Sequence, residues 1–83
     1  MLLMDISRLT SQRAQVFELM RDGEWRTLLE IAAQVEGLTT ALSARLRDLR
    51  KPQFGEHTVQ SRLRHGGTWE YRLLVNNGQL EMF

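Results

Sequence analysis

Apolar and polar residues alternate with the period of an α-helix between residues 9 and 20. Thr10 or Ser11 offers a side-chain cap at the start of this helix, which we expect to run to about Asp22, just before Gly23. The next four residues, EWRT, are too few for a helix and suit one or two strand positions. The pattern therefore predicts a first helix followed by a short strand. The apolar stripe of the helix is Leu9, Val16, Phe17, Leu19 and Met20.

A capping box marks the start of a second helix at Thr27. Glu30 follows three residues later, and in this motif the two side chains satisfy each other's free backbone amides. Gly37 marks the end of this helix. The residues that we expect on its buried side are Leu28, Ile31, Ala32 and Val35.

The third helix combines leucines at helical spacing with a cluster of arginines and a lysine. Thr39 or Thr40 is the expected cap, and Pro52 ends the helix because it disfavours the helical conformation of Lys51. The leucines fall within about 60° of each other on a helical wheel, which predicts one buried seam. The seam consists of Leu42, Leu46 and Leu49, and Leu38 continues it.

The remaining pattern predicts a β-hairpin in which HTVQSRLR and TWEYRLLV are joined by HGG. Pairing Leu63 with Trp69 places the large apolar residues of both strands on one face. The opposite face then receives the charged residues, with Arg62 opposite Glu70. This register predicts that Trp69 and Tyr71 pack in the core, and we expect Trp25 to cover the core as well. The other pairs are Ser61 with Tyr71, Val59 with Leu73, His57 with Val75, Gln60 with Arg72 and Arg64 with Thr68.

Composition argues against several kinds of function but does not identify the function of the chain. The chain has 83 residues, which suits one domain, and no cysteine, which excludes disulfides and thiolate metal sites. His57 and His65 have no third ligand nearby in the sequence, so we expect no metal. We also expect neither enzymatic activity nor a cofactor, because the chain shows no Ser-His-acid set, paired carboxylates or phosphate-binding glycine loop. No apolar run is long enough for a membrane span, and MLLM lacks a basic lead, so we expect a cytoplasmic protein.

Positive charge is concentrated in the second half of the chain. Residues 1–41 carry four basic and six acidic groups, whereas residues 42–72 carry seven basic and three acidic groups. The net charge of the whole chain is only +1. The uneven distribution favours an anionic partner for the second half.

The order helix, short strand, helix, tight turn, helix and hairpin resembles the winged helix-turn-helix family. TLLEIAAQVEG is similar to the family's positioning helix, LTTALSARLRDLRK to its recognition helix, and VQSRLRHGGTWEYRLLV to its wing. The resemblance covers residues 9–75, with residues 1–8 as an N-terminal extension and residues 76–83 as a tail. It implies an α+β fold and a small transcriptional or recombination regulator of the phage or prophage type, acting in a bacterial or phage-infected cell. It also implies that the third helix enters the major groove of double-stranded DNA and the wing touches the backbone or minor groove.

The residues that face away from the leucine seam fit this role. Small side chains allow a helix to lie deep in a groove, Arg47 suits bidentate contact with guanine, and Arg50 and Lys51 suit phosphates. Thr40 and Ser43 are candidates for base contacts. We expect the cations of this helix and those of the hairpin to share one outer surface that can meet a polyanion. The full set of expected DNA-binding residues is Thr39, Thr40, Ser43, Ala44, Arg47, Arg50 and Lys51 of the third helix, and Arg62, Arg64, His65 and Arg72 of the hairpin.

Other functions remain open at this point. The basic residues of the third helix also suit a solvated helix end, and Arg62 with Glu70 also suits an ordinary cross-strand pair. One alternative is a winged-helix adaptor that binds proteins and not DNA. The sequence also does not distinguish RNA from DNA as the nucleic acid bound. The apolar ends, MLLM and LEMF, are candidate contacts for a second copy or a protein partner.

Overall fold

The computed structural model describes residues 11–76, which form three helices and a three-stranded antiparallel sheet. The predicted N-terminal extension, Leu9, both apolar ends and the tail beyond Asn76 lie outside the described residues. In chain order the elements are α1 (Gln12–Met20), β1 (Arg26–Thr27), α2 (Leu28–Ala32), α3 (Thr39–Leu49), a 3₁₀ turn (Pro52–Phe54), β2 (Thr58–Arg64) and β3 (Thr68–Leu74).

Side-chain caps fix the starts of α1 and α2 as predicted. The hydroxyl of Ser11 accepts a hydrogen bond from the amide of Ala14 at 3.0 Å. At α2, the Thr27 hydroxyl accepts from the Glu30 amide at 3.1 Å, and the Glu30 carboxylate accepts from the Thr27 amide at 2.9 Å. The predicted capping box is therefore confirmed.

α3 begins differently from the prediction. Its N-cap is Leu38, which makes no side-chain capping bond, and the predicted caps Thr39 and Thr40 lie inside the helix. Leu38 has extended backbone angles and is 77% exposed, so the expectation that it continues the leucine seam is wrong. The helical wheel does not apply to Leu38, because this residue precedes the first turn of α3.

The leucine seam of α3 forms the centre of the core. Leu42, Leu46 and Leu49 are buried, as predicted, against residues of α1, α2 and β3. Partly buried Val59 and Tyr71 pack on the same cluster. The other buried apolar residues of the cluster are Val16, Leu19, Met20, Ile31, Val35 and Leu73.

The sheet has the strand order β1-β3-β2, and the predicted hairpin pairs are confirmed from Val59 with Leu73 to Arg64 with Thr68. The predicted pair of His57 with Val75 lies beyond the ends of the paired strands. Near the open end of the hairpin, one face packs on the core. At the closed end the same face extends past the helices, so Leu63 is 58% exposed and Trp69 is 52% exposed. The expectation that Trp69 packs in the core is wrong, because alternation gives the side of a residue but not how far the core reaches.

The short strand β1 determines the position of Trp25. Thr27 pairs with Glu70, and side chains two residues apart share a sheet face, so Trp25 lies on the face of Glu70 and not on the core face. The expectation that Trp25 covers the core is therefore wrong. Within residues 11–76, no helix has the length and apolar character needed to cross a membrane.

The burial of Leu46 and the exposure of Leu38 predict that alanine substitutions at these two positions differ in their effect on stability. Leu46→Ala should lower the free energy of unfolding by about 2–5 kcal/mol, because it leaves a cavity in the centre of the core. Leu38→Ala, the matched control, should change it by less than about 0.5 kcal/mol. Urea unfolding followed by circular dichroism measures both values, and similar losses for the two variants would contradict the described core.

Candidate nucleic-acid interface

The outer side of α3 and the start of α2 form a shallow groove. Because the leucine seam faces inward, the polar residues of α3 point to the opposite side. We call this surface the α3 groove. Its lining consists of Leu28, Thr39, Thr40, Ser43 and Arg47. The structure thus brings together four of the predicted DNA-binding residues and adds Leu28, which the sequence pattern assigned to the core side of α2.

Two cations of α3 have no acidic partner. Arg47 and Arg50 are exposed, and within residues 11–76 neither side chain forms a hydrogen bond or an ion pair. Ala44 is half-buried beside them and adds no bulk to this side of the helix. A polyanion can therefore approach both guanidinium groups without displacing an intramolecular partner.

Lys51 is only partly available. Its ammonium lies 3.3 Å from Asp48, which also accepts a hydrogen bond from Arg45 at 3.0 Å. Burial raises the pKa of Asp48, but the hydrogen bonds and charges of Lys51 and Arg45 outweigh it and lower the pKa overall. Asp48 thus stays ionised and neutralises part of the charge at the end of α3.

The hairpin arginines are arranged around a buried carboxylate. Glu70 lies on β3 with only 4% of its surface exposed. Its two oxygens accept hydrogen bonds from Arg62 Nε and Arg64 Nε, both at 2.7 Å. The hydrogen bond from Arg62 is the main reason why the pKa of Glu70 is lowered, although burial acts against it and Arg64 assists.

Arg64 also joins the hairpin to α2. Its guanidinium lies 3.1 Å from the carboxylate of Glu30, which is at the same time the capping residue for Thr27. The hydrogen bond from the Thr27 amide is the main cause of the lowered pKa of Glu30, and Arg64 contributes further. Arg64 therefore fixes the closed end of the hairpin relative to the first turn of α2.

Trp25 and the last hairpin arginine complete this side of the sheet. The guanidinium carbons of Arg62 and Arg72 lie 4.1 Å and 4.8 Å from the centre of the Trp25 ring. Arg72 donates a hydrogen bond to Gln60 at 2.8 Å and has no acidic partner within the described residues. We call this surface the charged sheet face. It comprises Trp25, Gln60, Arg62, Arg64, Glu70 and Arg72.

The predicted cations therefore divide into two groups. Alternation along the strands puts Arg62, Arg64 and Arg72 on the face that is turned away from α3, as the burial of Val59 and Leu73 on the other face requires. The expectation that they share one outer surface with the cations of α3 is corrected by this arrangement. His65 is exposed in the turn between the two strands.

Sequence reasoning missed the most important of these contacts. Arg64 and Glu30 are 34 positions apart, so no local pattern connects them. The burial of Glu70 was also missed, although its position opposite Arg62 in the predicted register gave part of the signal. His57 has a structural contact, since its Nδ1 accepts a hydrogen bond from the Asn76 amide at 2.9 Å.

Comparison with known proteins indicates neither a family nor a function for this chain. The chain matches no protein-family model, and neither the curated proteins nor the solved structures include a significant match to it.

The ion pairs of Glu70 predict an acid-dependent loss of stability. Because its pKa in the folded chain lies below the ordinary value of 4.5, the ionised carboxylate stabilises the fold fully above that pH. The contribution is lost as the pH falls through the folded-state pKa. Glu70→Gln should therefore lower the free energy of unfolding at neutral pH and weaken its dependence on pH in the acid range.

Urea unfolding at a series of pH values between about 3 and 7 measures this effect. Glu36→Gln is the control, because Glu36 is an exposed carboxylate whose side chain makes no contact with a cation in residues 11–76. An unchanged pH dependence in Glu70→Gln would show that the buried carboxylate does not stabilise the fold.

Proposed function

We propose that this chain is a winged-helix protein that binds double-stranded DNA through the α3 groove. The observation that carries the proposal is the outer side of α3, where Thr40, Ser43 and Arg47 converge and the side chains of Arg47 and Arg50 have no partner within residues 11–76. Uncommitted guanidinium groups beside small hydroxyl side chains match the chemistry of base edges and phosphates.

The arrangement of the elements supports the winged-helix interpretation. The short strand after α1 pairs with the last strand, and the hairpin follows α3 after a 3₁₀ turn. The chain order of helix, short strand, helix, helix and hairpin is the one that the resemblance to winged helix-turn-helix proteins implies, with α3 as the recognition helix and β2–β3 as the wing. α3 has 11 residues and small outward side chains, which suits a major groove about 12 Å wide.

Each residue of the interface then has a distinct role. Arg47 lies in the groove and contacts guanine through its two terminal nitrogens, with Thr40 and Ser43 beside it. Arg50 and Lys51 follow at the end of the helix and contact phosphates. In the wing, Arg72 remains available to phosphates, whereas Arg62 and Arg64 chiefly hold the wing against Glu70 and α2. A small regulator of transcription or recombination is the function that this interface would serve.

Exposed leucines outside the groove support a second candidate, a protein-binding adaptor. Leu29 on α2 is 73% exposed, and Leu38 before α3 is exposed to a similar extent. Such side chains serve as anchors in protein interfaces. The two candidates differ in salt dependence, because DNA binding weakens steeply as salt increases and an adaptor shows no affinity for duplex DNA.

DNA selection from a random duplex pool, followed by fluorescence anisotropy titration, tests the proposed function. Arg47→Ala should lower affinity for the selected sequence by about 1–3 kcal/mol and should reduce discrimination at one base pair. Arg21→Ala is the control and should leave affinity unchanged, because Arg21 caps the end of α1, does not line the α3 groove and pairs with Glu18 at 3.3 Å.

Two results would count against this assignment. Equal losses of affinity on selected and random duplexes would remove Arg47 from base recognition. The absence of duplex binding at any salt concentration, together with binding to a protein partner, would favour the adaptor.

A further inference from the structure

Among residues 11–76, Leu28 is the only apolar residue that lines the α3 groove. It is the first residue of α2, and part of its side chain packs against the buried core. Because the side chain is only half-buried, another part faces the groove, where the other lining residues carry hydroxyl groups and a guanidinium group. Thr40, Ser43 and Arg47 account for polar contacts with DNA but give no role to this aliphatic patch.

Contacts on both sides hold Leu28 in place. Thr27, immediately before it, pairs with Glu70 of β3 and caps α2. Glu30, two residues after Leu28, completes the capping box and binds Arg64 of the hairpin. The aliphatic surface of Leu28 therefore has a defined position in the groove, as recognition of a small apolar group requires.

The surroundings of Leu28 favour a base edge over a protein side chain. One half-buried leucine offers far less apolar surface than the roughly 800 Å² that each partner buries in a stable protein complex. Arg47, in the same groove, has an exposed side chain without an acidic partner in residues 11–76, which favours an anionic ligand. In the major groove of DNA, the C5-methyl group is the apolar feature that distinguishes thymine from the other bases. A polyanion whose base edges carry methyl groups thus matches this groove.

We propose that Leu28 recognises the C5-methyl group of a pyrimidine next to the guanine that Arg47 contacts. The two side chains line one groove of about 320 Å³, and neighbouring base pairs are only about 3.4 Å apart along the duplex. This inference rests on the proposed DNA-binding function and adds a base preference to it. The pyrimidine is thymine in unmodified DNA. 5-Methylcytosine carries the same methyl group at the same place, so the site should also prefer methylated over unmethylated cytosine there.

Removal of single methyl groups from the DNA tests this contact without changing the protein. The duplex obtained by selection would be made with deoxyuridine in place of each thymine in turn, a change that removes one methyl group and keeps the base pair. At one position, beside the guanine that Arg47 contacts, the wild-type protein should bind roughly 4-fold more weakly, the effect of losing one buried methyl group. Fluorescence anisotropy titration measures the affinities.

Substitution of Leu28 should remove this preference. Leu28→Ala should bind the thymine and deoxyuridine duplexes with equal affinity, because the side chain that contacts the methyl group is gone. Leu29→Ala is the matched control, since Leu29 is the next residue of the same helical turn, is 73% exposed and does not line the groove. It should keep the full preference for thymine. Circular dichroism checks that both variants are folded.

Cytosine methylation gives a second comparison at the same position. A C·G pair would replace the T·A pair, with either cytosine or 5-methylcytosine in it. The wild-type protein should bind the methylated duplex more tightly by a similar factor, and Leu28→Ala should bind the two equally. Both duplexes carry the same hydrogen-bonding groups on their base edges, so the difference in affinity reports the methyl group alone.

Methyl NMR of the wild-type protein tests the contact if Leu28→Ala does not fold. With ¹³C-labelled leucine methyl groups, the Leu28 signals should shift when the selected duplex binds, and their shifts should differ between the thymine and deoxyuridine duplexes. The Leu29 signals should not distinguish the two duplexes.

The outcomes separate this inference from the function on which it rests. Duplex binding in which no single deoxyuridine lowers affinity would overturn the role of Leu28 and leave DNA binding by α3 in place. A thymine preference that persists in Leu28→Ala would also overturn it, because another residue would then recognise the methyl group. No duplex binding by the wild-type protein would overturn both inferences, and loss of a protein partner in Leu28→Ala would then assign the leucine to that partner.

Discussion

The buried carboxylate of Glu70 determines which arginines of this protein are available to a ligand. A carboxylate with so little contact with water needs cationic partners, and Arg62 and Arg64 supply them from the neighbouring strand. Removing either arginine for use at an interface would leave one oxygen of this buried carboxylate without its cationic partner. Among the arginines without an acidic partner in residues 11–76, Arg72 lies on the charged sheet face, and Arg47 and Arg50 lie on the outer side of α3. Because the ion pairs of the sheet occupy Arg62 and Arg64, Arg47 and Arg50 are better able to bind an anionic ligand.

The first turn of α2 connects the parts of the proposed interface. Thr27 and Glu30 fix that turn through the capping box, and Glu30 then binds Arg64 of the hairpin. Leu28, in the same turn, lines the α3 groove. This short, well-capped turn therefore fixes the closed end of the hairpin relative to α3.

Local patterns in the sequence were sufficient for the order of the helices, the starts of α1 and α2, the capping box and the paired part of the hairpin, because each depends on residues that are close in the chain or directly opposite. They were wrong about the end of α2, which lies at Ala32 and not at Gly37, and about the start of α3. They were insufficient wherever the extent of the core mattered. Alternation placed Trp69 on the correct face but gave no measure of where the helices end, so its exposure was missed. The α3 residues of the candidate site followed from the leucine seam. The ion pairs of Arg64 did not, because they join segments that only the folded chain brings together.

Chemical-shift mapping by NMR tests the central claim, that the outer side of α3 is the DNA-binding surface, most directly. Duplex DNA would be added to ¹⁵N-labelled protein at low salt, and the amide, arginine Nε and indole signals would be followed. The account predicts that the signals of Thr40, Ser43 and Arg47 shift, while the Nε signal of Arg21 at the end of α1 stays in place. Shifts confined to Trp25 and its neighbours, with α3 unchanged, would contradict it.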